Sequence, residues 1–214
     1  MTTTNNFFDN VITLTTDDVL FLDTNFLVAL IIESEPYHKV VKNFLVHAIN
    51  SDCGLYISAT VVKELQFTIA KILYATDMVN EGRYSKKQAK GNWGNLPKTS
   101  EKGLVQKYNR LAKEKVDTVL ALTEHVDTTF DTTAFALDFS IKYTLHTGDA
   151  FIISSTYLLG AKLVTLDKDF TSIDDIEVIF ANSPNPQLFN PAIYDKIENH
   201  DVILNQVESI LTSK

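Results

Sequence analysis

The stretch VLFLDTNFLVALI, residues 19–31, carries the two patterns that decide the fold. Val19–Leu22 is a short run of strand-forming residues without polar alternation, which is typical of a strand buried on both faces of a parallel sheet. The residues after Asn25 are apolar again and predict a buried helix up to Glu33. Between them stands Asp23, whose carboxylate is costly to bury unless it is paired or bound. Asp23 therefore either caps the helix or belongs to a site.

The rest of the chain continues the alternation of strands and helices. Short strands are predicted at Leu55–Ser58, Leu163–Thr165 and Ile176–Phe180. Apolar residues at helical spacing predict helices over Tyr37–Asn50, Ala59–Ala75, residues 104–122, Thr132–Tyr143, Gly148–Leu159 and Ala192–Leu211. This order favours an α/β fold, an open parallel sheet flanked by helices. In such sheets, functional side chains collect at the carboxyl ends of the strands.

The length of 214 residues fits a single domain, which we expect to span residues 1–214. Between about residues 76 and 125 the helical spacing of apolar residues is first lost and then resumes, which indicates a helical, basic insertion. A polar, proline-bearing linker leads into a C-terminal extension at about residues 183–214. The amphipathic helix of this extension is expected to pack on the domain or on a second copy of the chain, as in a homodimer.

Three features predict a cytoplasmic protein with no membrane contact. The single cysteine, Cys53, excludes an intrachain disulfide and fits a reducing compartment. No basic residue precedes Lys39, so the N-terminus does not resemble a secretory signal. The longest plainly apolar run, Phe26–Ile32, is far too short to cross a bilayer.

Although the net charge is −8, basic residues are concentrated in one part of the chain. Between residues 83 and 115, ten Lys or Arg stand against two acidic residues. Lys86, Lys87 and Lys90 are the candidates there for contacts with nucleic-acid phosphates. The run is equally compatible with a solvated helical face. Trp93 in the same segment could stack on a base or pack locally.

Four acidic residues occupy equivalent places in the predicted sheet: Asp23, Glu64, Asp149 and Asp167. Each also has an ordinary structural interpretation. Asp23 could cap a helix, Glu64 could be a solvated helical residue, Asp149 could complement a helix dipole, and Asp167 could be a turn residue. Together, however, these acids would lie close and repel one another. A hard cation such as Mg²⁺ or Mn²⁺ would make the cluster tolerable and would suit phosphate chemistry.

The segments LFLDTNFLVAL, ISATVVKEL and TGDAFIISSTYLLGAKLVTLDKDF resemble the successive motifs of the PIN-domain ribonucleases, which include the VapC-type toxins. The resemblance covers roughly residues 19–75 and 132–180, and its last block is the most specific. The connection from Glu64 to Asp149 is longer here than in small members of the family.

The resemblance implies roles for individual residues. Asp23, Glu64, Asp149 and Asp167 match the four acids of the family, which serve as catalytic and metal-binding residues. Asp169 is a further candidate for metal binding, at an outer position. Asn25 and Thr165 stand where the family has polar residues that orient the carboxylates. The implied activity is a metal-dependent endoribonuclease with RNA as its substrate and a 5′-phosphate product.

Several alternatives remain open at this stage. A non-catalytic PIN-like module that binds RNA or acts as a scaffold is one, although such a module has no need for four clustered acids. A nuclease acting on DNA is another, since no residue pattern here reports on the 2′-hydroxyl. One chain cannot say whether an antitoxin protein is its partner. His146, near Asp149, could assist catalysis or be structural.

Overall fold

The computed structural model describes residues 4–6, 14–98, 102–180, 205 and 207–209. Within these ranges six strands form one sheet, and every pairing in it is parallel. They are β1 (Thr4–Asn6), β2 (Val19–Leu22), β3 (Gly54–Ser58), β4 (Glu124–Val126), β5 (Lys162–Thr165) and β6 (Glu177–Phe180). Their order across the sheet is β1-β6-β5-β2-β3-β4. The predicted α/β fold with a parallel sheet is confirmed, and the short strands β1 and β4 are additions to the prediction.

Strand β2 lies inside the sheet, between β3 and β5. In the register, Phe21 stands opposite Tyr56 on one side and Leu163 on the other. Leu20 and Phe21 are both fully buried, which explains the absence of polar alternation in this strand. The backbone N–H of Asp23 donates to the carbonyl of Val164 at 3.0 Å, so the ladder continues one residue beyond β2. Asp23 is thereby held beside the end of β5.

Seven α-helices follow or join the strands in the described ranges. They are α1 (Thr24–Ile31), α2 (His38–Asn50), α3 (Ala59–Asn80), α4 (Lys86–Asn92), α5 (Lys102–Leu120), α6 (Phe130–Tyr143) and α7 (Thr147–Leu159). Two short 3₁₀ helices cover Trp93–Lys98 and Lys168–Ser172. Helix α3 continues to Asn80, so the prediction that it ends near Ala75 was wrong. The extra turn is retained because Met78 is buried in the core.

Helices α1 and α3 begin directly where their strands end. Asp23 caps α1, and its carboxylate accepts a hydrogen bond from the backbone N–H of Thr24. Ser58 caps α3 by accepting from the N–H of Val61. Ser and Asp suit these positions because their oxygens satisfy donors that the first turn leaves free. The two helices therefore start side by side at one edge of the sheet.

The basic segment, residues 83–115, packs against α3 through an aromatic cluster. The ring of Trp93 lies 5.5 Å from that of Tyr74 on α3 and 6.3 Å from that of Tyr108 on α5. Trp93 is only 3% exposed. The hydroxyl of Tyr108 donates to Asp77 at 2.7 Å, which ties α5 to α3 a second time. Of the two interpretations of Trp93, the structure therefore supports local packing.

The C-terminal extension lies almost entirely outside the described residues. Asn205 and residues 207–209 are helical, in agreement with the predicted helix over Ala192–Leu211. Val207 is buried in the core, and Glu208 forms an ion pair with Lys42 on α2. Among the described helices, none has the length and apolar character needed to span a membrane.

Replacing Trp93 with alanine should destabilise the protein by about 3–5 kcal/mol, because a buried aromatic side chain is removed and a cavity remains. Chemical denaturation of the wild type and the variant measures the difference. Phe67→Ala is a matched control, since Phe67 touches the same cluster but is 52% exposed, and it should cost much less. An unchanged midpoint for Trp93→Ala would mean that the basic segment does not contribute to the core.

Candidate active site

The carboxylate of Asp23 is the most buried of the four predicted acids, with 2% of the residue exposed. One oxygen, Oδ1, accepts from the backbone N–H of Thr24 at 2.6 Å. The other, Oδ2, accepts from the hydroxyl of Thr165 at 2.7 Å. Burial raises the pKa of Asp23 to about 6, and the charge of Asp167 adds to this, while the hydrogen bonds from Thr165 and Thr24 oppose it. Asp23 therefore caps a helix and also lies among other acids.

Thr165 joins two of the acids. Its hydroxyl donates to Asp23 and accepts the backbone N–H of Asp167 at 2.9 Å. The residue is fully buried at the end of β5, so the hydroxyl is held in place by its surroundings. The orienting position that the resemblance implied for Thr165 agrees with these contacts. Asn25 differs, because its side chain is exposed and only its backbone N–H faces the Asp23 carboxylate.

Glu64, in the second turn of α3, is positioned by two residues that the sequence did not single out. The hydroxyl of Thr24 donates to Glu64 Oε2 at 3.1 Å. The other oxygen, Oε1, lies against Gly148 so closely that a Cβ built there would stand 2.4 Å away. A side chain at position 148 would thus displace the carboxylate. A hydroxyl residue directly after Asp23 and a glycine directly before Asp149 were the available signals.

Asp149 lies in the first turn of α7 and faces the other acids. Its pKa is raised by partial burial and then by the negative charges of Glu64 and Asp167. Asp169 adds a smaller effect of the same sign, while His146 opposes it. Gly148, the neighbour of Asp149 in the chain, lies against the carboxylate of Glu64, so Asp149 and Glu64 are close to each other. His146 is exposed at the start of α7, and its side chain makes no capping hydrogen bond there.

Asp167 and Asp169 occupy the turn after β5. Asp167 caps the short 3₁₀ helix, and its Oδ1 accepts the N–H of Asp169 at 2.9 Å. The ordinary interpretation of Asp167 as a turn residue is therefore also correct. Asp169 is exposed at the outside of the group.

The three predicted RNA-contacting lysines lie elsewhere, on α4. Lys86 and Lys87 are exposed, and Lys90 is partly buried. Lys86 and Lys90 line a pocket with residues from the C-terminal half of α3. The structure therefore separates the basic residues from the acids by much of the length of α3.

The acids fit a hard cation by chemical type, although they are not yet arranged around one. In the described part of the chain, no group of three or more acidic, histidine or cysteine side chains is close enough to enclose a metal ion. Carboxylate oxygens are nevertheless the ligands that Mg²⁺ and Mn²⁺ prefer. By the chemistry of their oxygens alone, the acids fit such a cation.

Comparison with known proteins identifies the class of this fold. Residues 20–176 match the PIN domain family, and the chain belongs to that family. The resemblance noted in the sequence is thereby confirmed.

Two known proteins illustrate the relationship. The chain is 29% identical over 163 residues to Ribonuclease VapC6 of Methanocaldococcus jannaschii, covering 75% of this chain and 95% of that protein. It is also similar in fold to the crystal structure of VapBC2 from Rickettsia felis bound to a DNA fragment from their promoter. That similarity has a TM-score of 0.50 and 16% identity, and covers 76% of this chain and 98% of the other.

Replacing Asp149 with asparagine should stabilise the metal-free protein increasingly as the pH rises. The folded state raises the pKa of Asp149 above its ordinary 3.8, so ionisation costs stability once the pH passes that value. The neutral amide avoids this cost. Melting temperatures in a chelator should therefore differ little near pH 3.8 and diverge as the pH rises above that value, until Asp149 is ionised in the folded state as well.

Asp131→Asn is the matched control, because Asp131 also lies in the first turn of a helix but is exposed on α6. Its replacement should lower stability slightly, because the favourable interaction with the helix dipole is removed. If Asp149→Asn behaves in the same way, Asp149 acts only as a helix-start residue.

Proposed function

We propose that this protein is a metal-dependent endoribonuclease that hydrolyses phosphodiester bonds of RNA. Its catalytic and metal-binding residues are Asp23, Glu64, Asp149 and Asp167, with Asp169 at the edge of the site. The observation that carries the proposal is the grouping of the acids at the carboxyl edge of a parallel sheet, where Thr165 is hydrogen-bonded to both Asp23 and Asp167 and where Glu64 lies against Gly148, the residue before Asp149. Among the described lysines and arginines, none forms an ion pair with any of the four acids.

Mg²⁺ or Mn²⁺, when bound, supplies a Lewis acid that activates water and stabilises the departing oxygen of the phosphodiester. Residues of the chain hold the acids of the site in position. Thr165 orients the carboxylate of Asp23 and the backbone of Asp167. Thr24 and Gly148 set the position of the Glu64 carboxylate. Because the pKa of Asp23 is about 6, the site is more negative, and attracts a cation more strongly, above that pH.

The comparisons support a proposal for the substrate and the partner. The relative with 29% identity is named a ribonuclease of the VapC type, and the match spans 95% of its length. This supports RNA as the substrate and supports a role as the toxin of a toxin-antitoxin pair, with an antitoxin protein as partner. A homodimer stays a prediction.

Adding Mn²⁺ or Mg²⁺ should raise the melting temperature of the wild type, because the cation binds only the folded state and relieves repulsion among the acids. At a cation concentration about a hundred times Kd, the gain is about 2.7 kcal/mol. Asp149→Asn should abolish this response and should reduce cleavage of single-stranded RNA by more than about 100-fold. Thermal melts and a gel-based cleavage assay measure the two effects.

Asp131→Asn should keep both the metal response and the cleavage. A wild type with neither metal stabilisation nor metal-dependent cleavage across varied RNAs would overturn the proposal and favour the non-catalytic module. Cleavage of DNA in preference to RNA would leave the site intact and change the substrate.

Reversing the charge of Lys86, Lys87 and Lys90 together should weaken RNA binding for every sequence, because lysine–phosphate interactions carry no base information. The slope of log K against log salt should become shallower by roughly 0.7 for each phosphate that the variant no longer neutralises. Binding titrations at several salt concentrations measure this. As a control for net charge, Lys39→Glu on α2 should change the slope less than Lys87→Glu. Equal slopes would mean that the basic run is only a solvated face.

A further inference from the structure

A pocket lies at the far end of α3 from the acids. Ile72, Ala75 and Val79 of α3 form its apolar floor. Ser34 and Glu35, in the loop after α1, line one side, and α4 lines the other. The pocket has a volume of about 200 Å³ and contains none of the four acids. Nothing in the nuclease site as described above uses it.

The charges at the pocket favour an anion with an apolar part. Lys86 and Lys90 are four residues apart on α4, so they lie on one face of the helix, and both line the pocket. Within the described ranges, neither lysine forms an ion pair. By contrast, Lys107 and Lys113 of the same basic segment pair with Asp77 and Asp117. Two unpaired ammonium groups above an apolar floor match the phosphate and the base of a nucleotide.

Helices α1 and α3 connect the pocket to the acids. Both helices begin at the carboxyl edge of the sheet, where Thr24 of α1 is hydrogen-bonded to Glu64 of α3. Both end at the pocket, where Ser34 follows α1 and Val79 lies in the last turn of α3. Ala75 follows Glu64 by eleven residues, which is three turns on the same face, or about 16 Å along the helix axis. The separation is set by a continuous helix and is therefore rigid.

We propose that this pocket binds one nucleotide of the RNA strand, at a set distance from the bond that is cleaved. This rests on the proposed function and adds a specificity site to it. Lys86 and Lys90 bind the phosphate, and the base lies on Ile72 and Val79. The carboxylate of Glu35 can only accept hydrogen bonds when ionised, so it favours a base with an exocyclic amino group, which adenine, cytosine and guanine have, over uracil, which has none.

The first experiment compares two fluorescent single-stranded RNAs. The short one can contact only the site formed by the acids, and the long one can reach the pocket as well. Binding is measured in a chelator, so that no cleavage occurs. Val79→Asp should weaken binding of the long RNA roughly tenfold and leave the short one unchanged, and Lys90→Ala should weaken binding of the long RNA more than that of the short one. Lys39→Ala is the matched control, because Lys39 is an exposed lysine on α2 that does not line the pocket, and it should show no such dependence on length. Val79 is 40% exposed, so the aspartate should be tolerated in the fold.

The second experiment changes one base at a time along the long RNA. The wild type should discriminate against uracil at a single position, and Glu35→Gln should remove that discrimination, because an amide can donate as well as accept. A residue with a purely structural role would not alter base preference.

The outcomes separate this proposal from the nuclease activity. Pocket variants that bind both RNAs like the wild type overturn it. Weaker binding to a protein partner, with RNA binding unchanged, also overturns it and makes the pocket a protein-docking surface. A wild type that shows the length dependence but cleaves no RNA supports the pocket and removes the proposed function.

Discussion

The buried carboxylate of Asp23 is the constraint around which the carboxyl edge of the sheet is organised. An ionised carboxylate with 2% exposure is stable only where donors compensate for the missing water, and here they come from α1 and β5. The Thr165 hydroxyl that provides one of these hydrogen bonds also fixes the backbone of Asp167. Compensation for one buried charge thus determines the position of a second acid. The remaining cost appears as the raised pKa of Asp23.

Helix α3 extends this arrangement across the domain. Its first turns carry Glu64, and its later turns carry Tyr74, which packs against Trp93 and Tyr108 of the basic segment. The basic segment is therefore anchored to the same rigid element as one of the acids. A long connection between two strands costs little free energy of folding when it buries aromatic surface on an existing helix. The same packing gives the lysines of α4 a set position relative to the acids.

The strands and helices that could be predicted are those with strong local patterns. Strands β2, β3, β5 and β6 are predicted because they are apolar, and α7 because its apolar run ends at a glycine, Gly160, whose φ is +65°. Strands β1 and β4 contain three residues each and are largely polar, so their sequences carry no such signal. They form because an edge of the sheet offers backbone partners. Helix α4 is also short and polar, although the capping box of Ser85 and Gln88 marks its start.

The sequence by itself determined the class of fold and predicted four acids at one edge of the sheet, because apolar periodicity and the position of a residue after a strand are local properties. Only the tertiary structure decided which residues hold those acids. The hydrogen bond from Thr24 to Glu64 spans 40 residues, and that from Thr165 to Asp23 spans 142. The close approach of Gly148 to Glu64 depends on how α7 meets α3. No local pattern encodes such distances, because they arise only when separate helices and strands pack together.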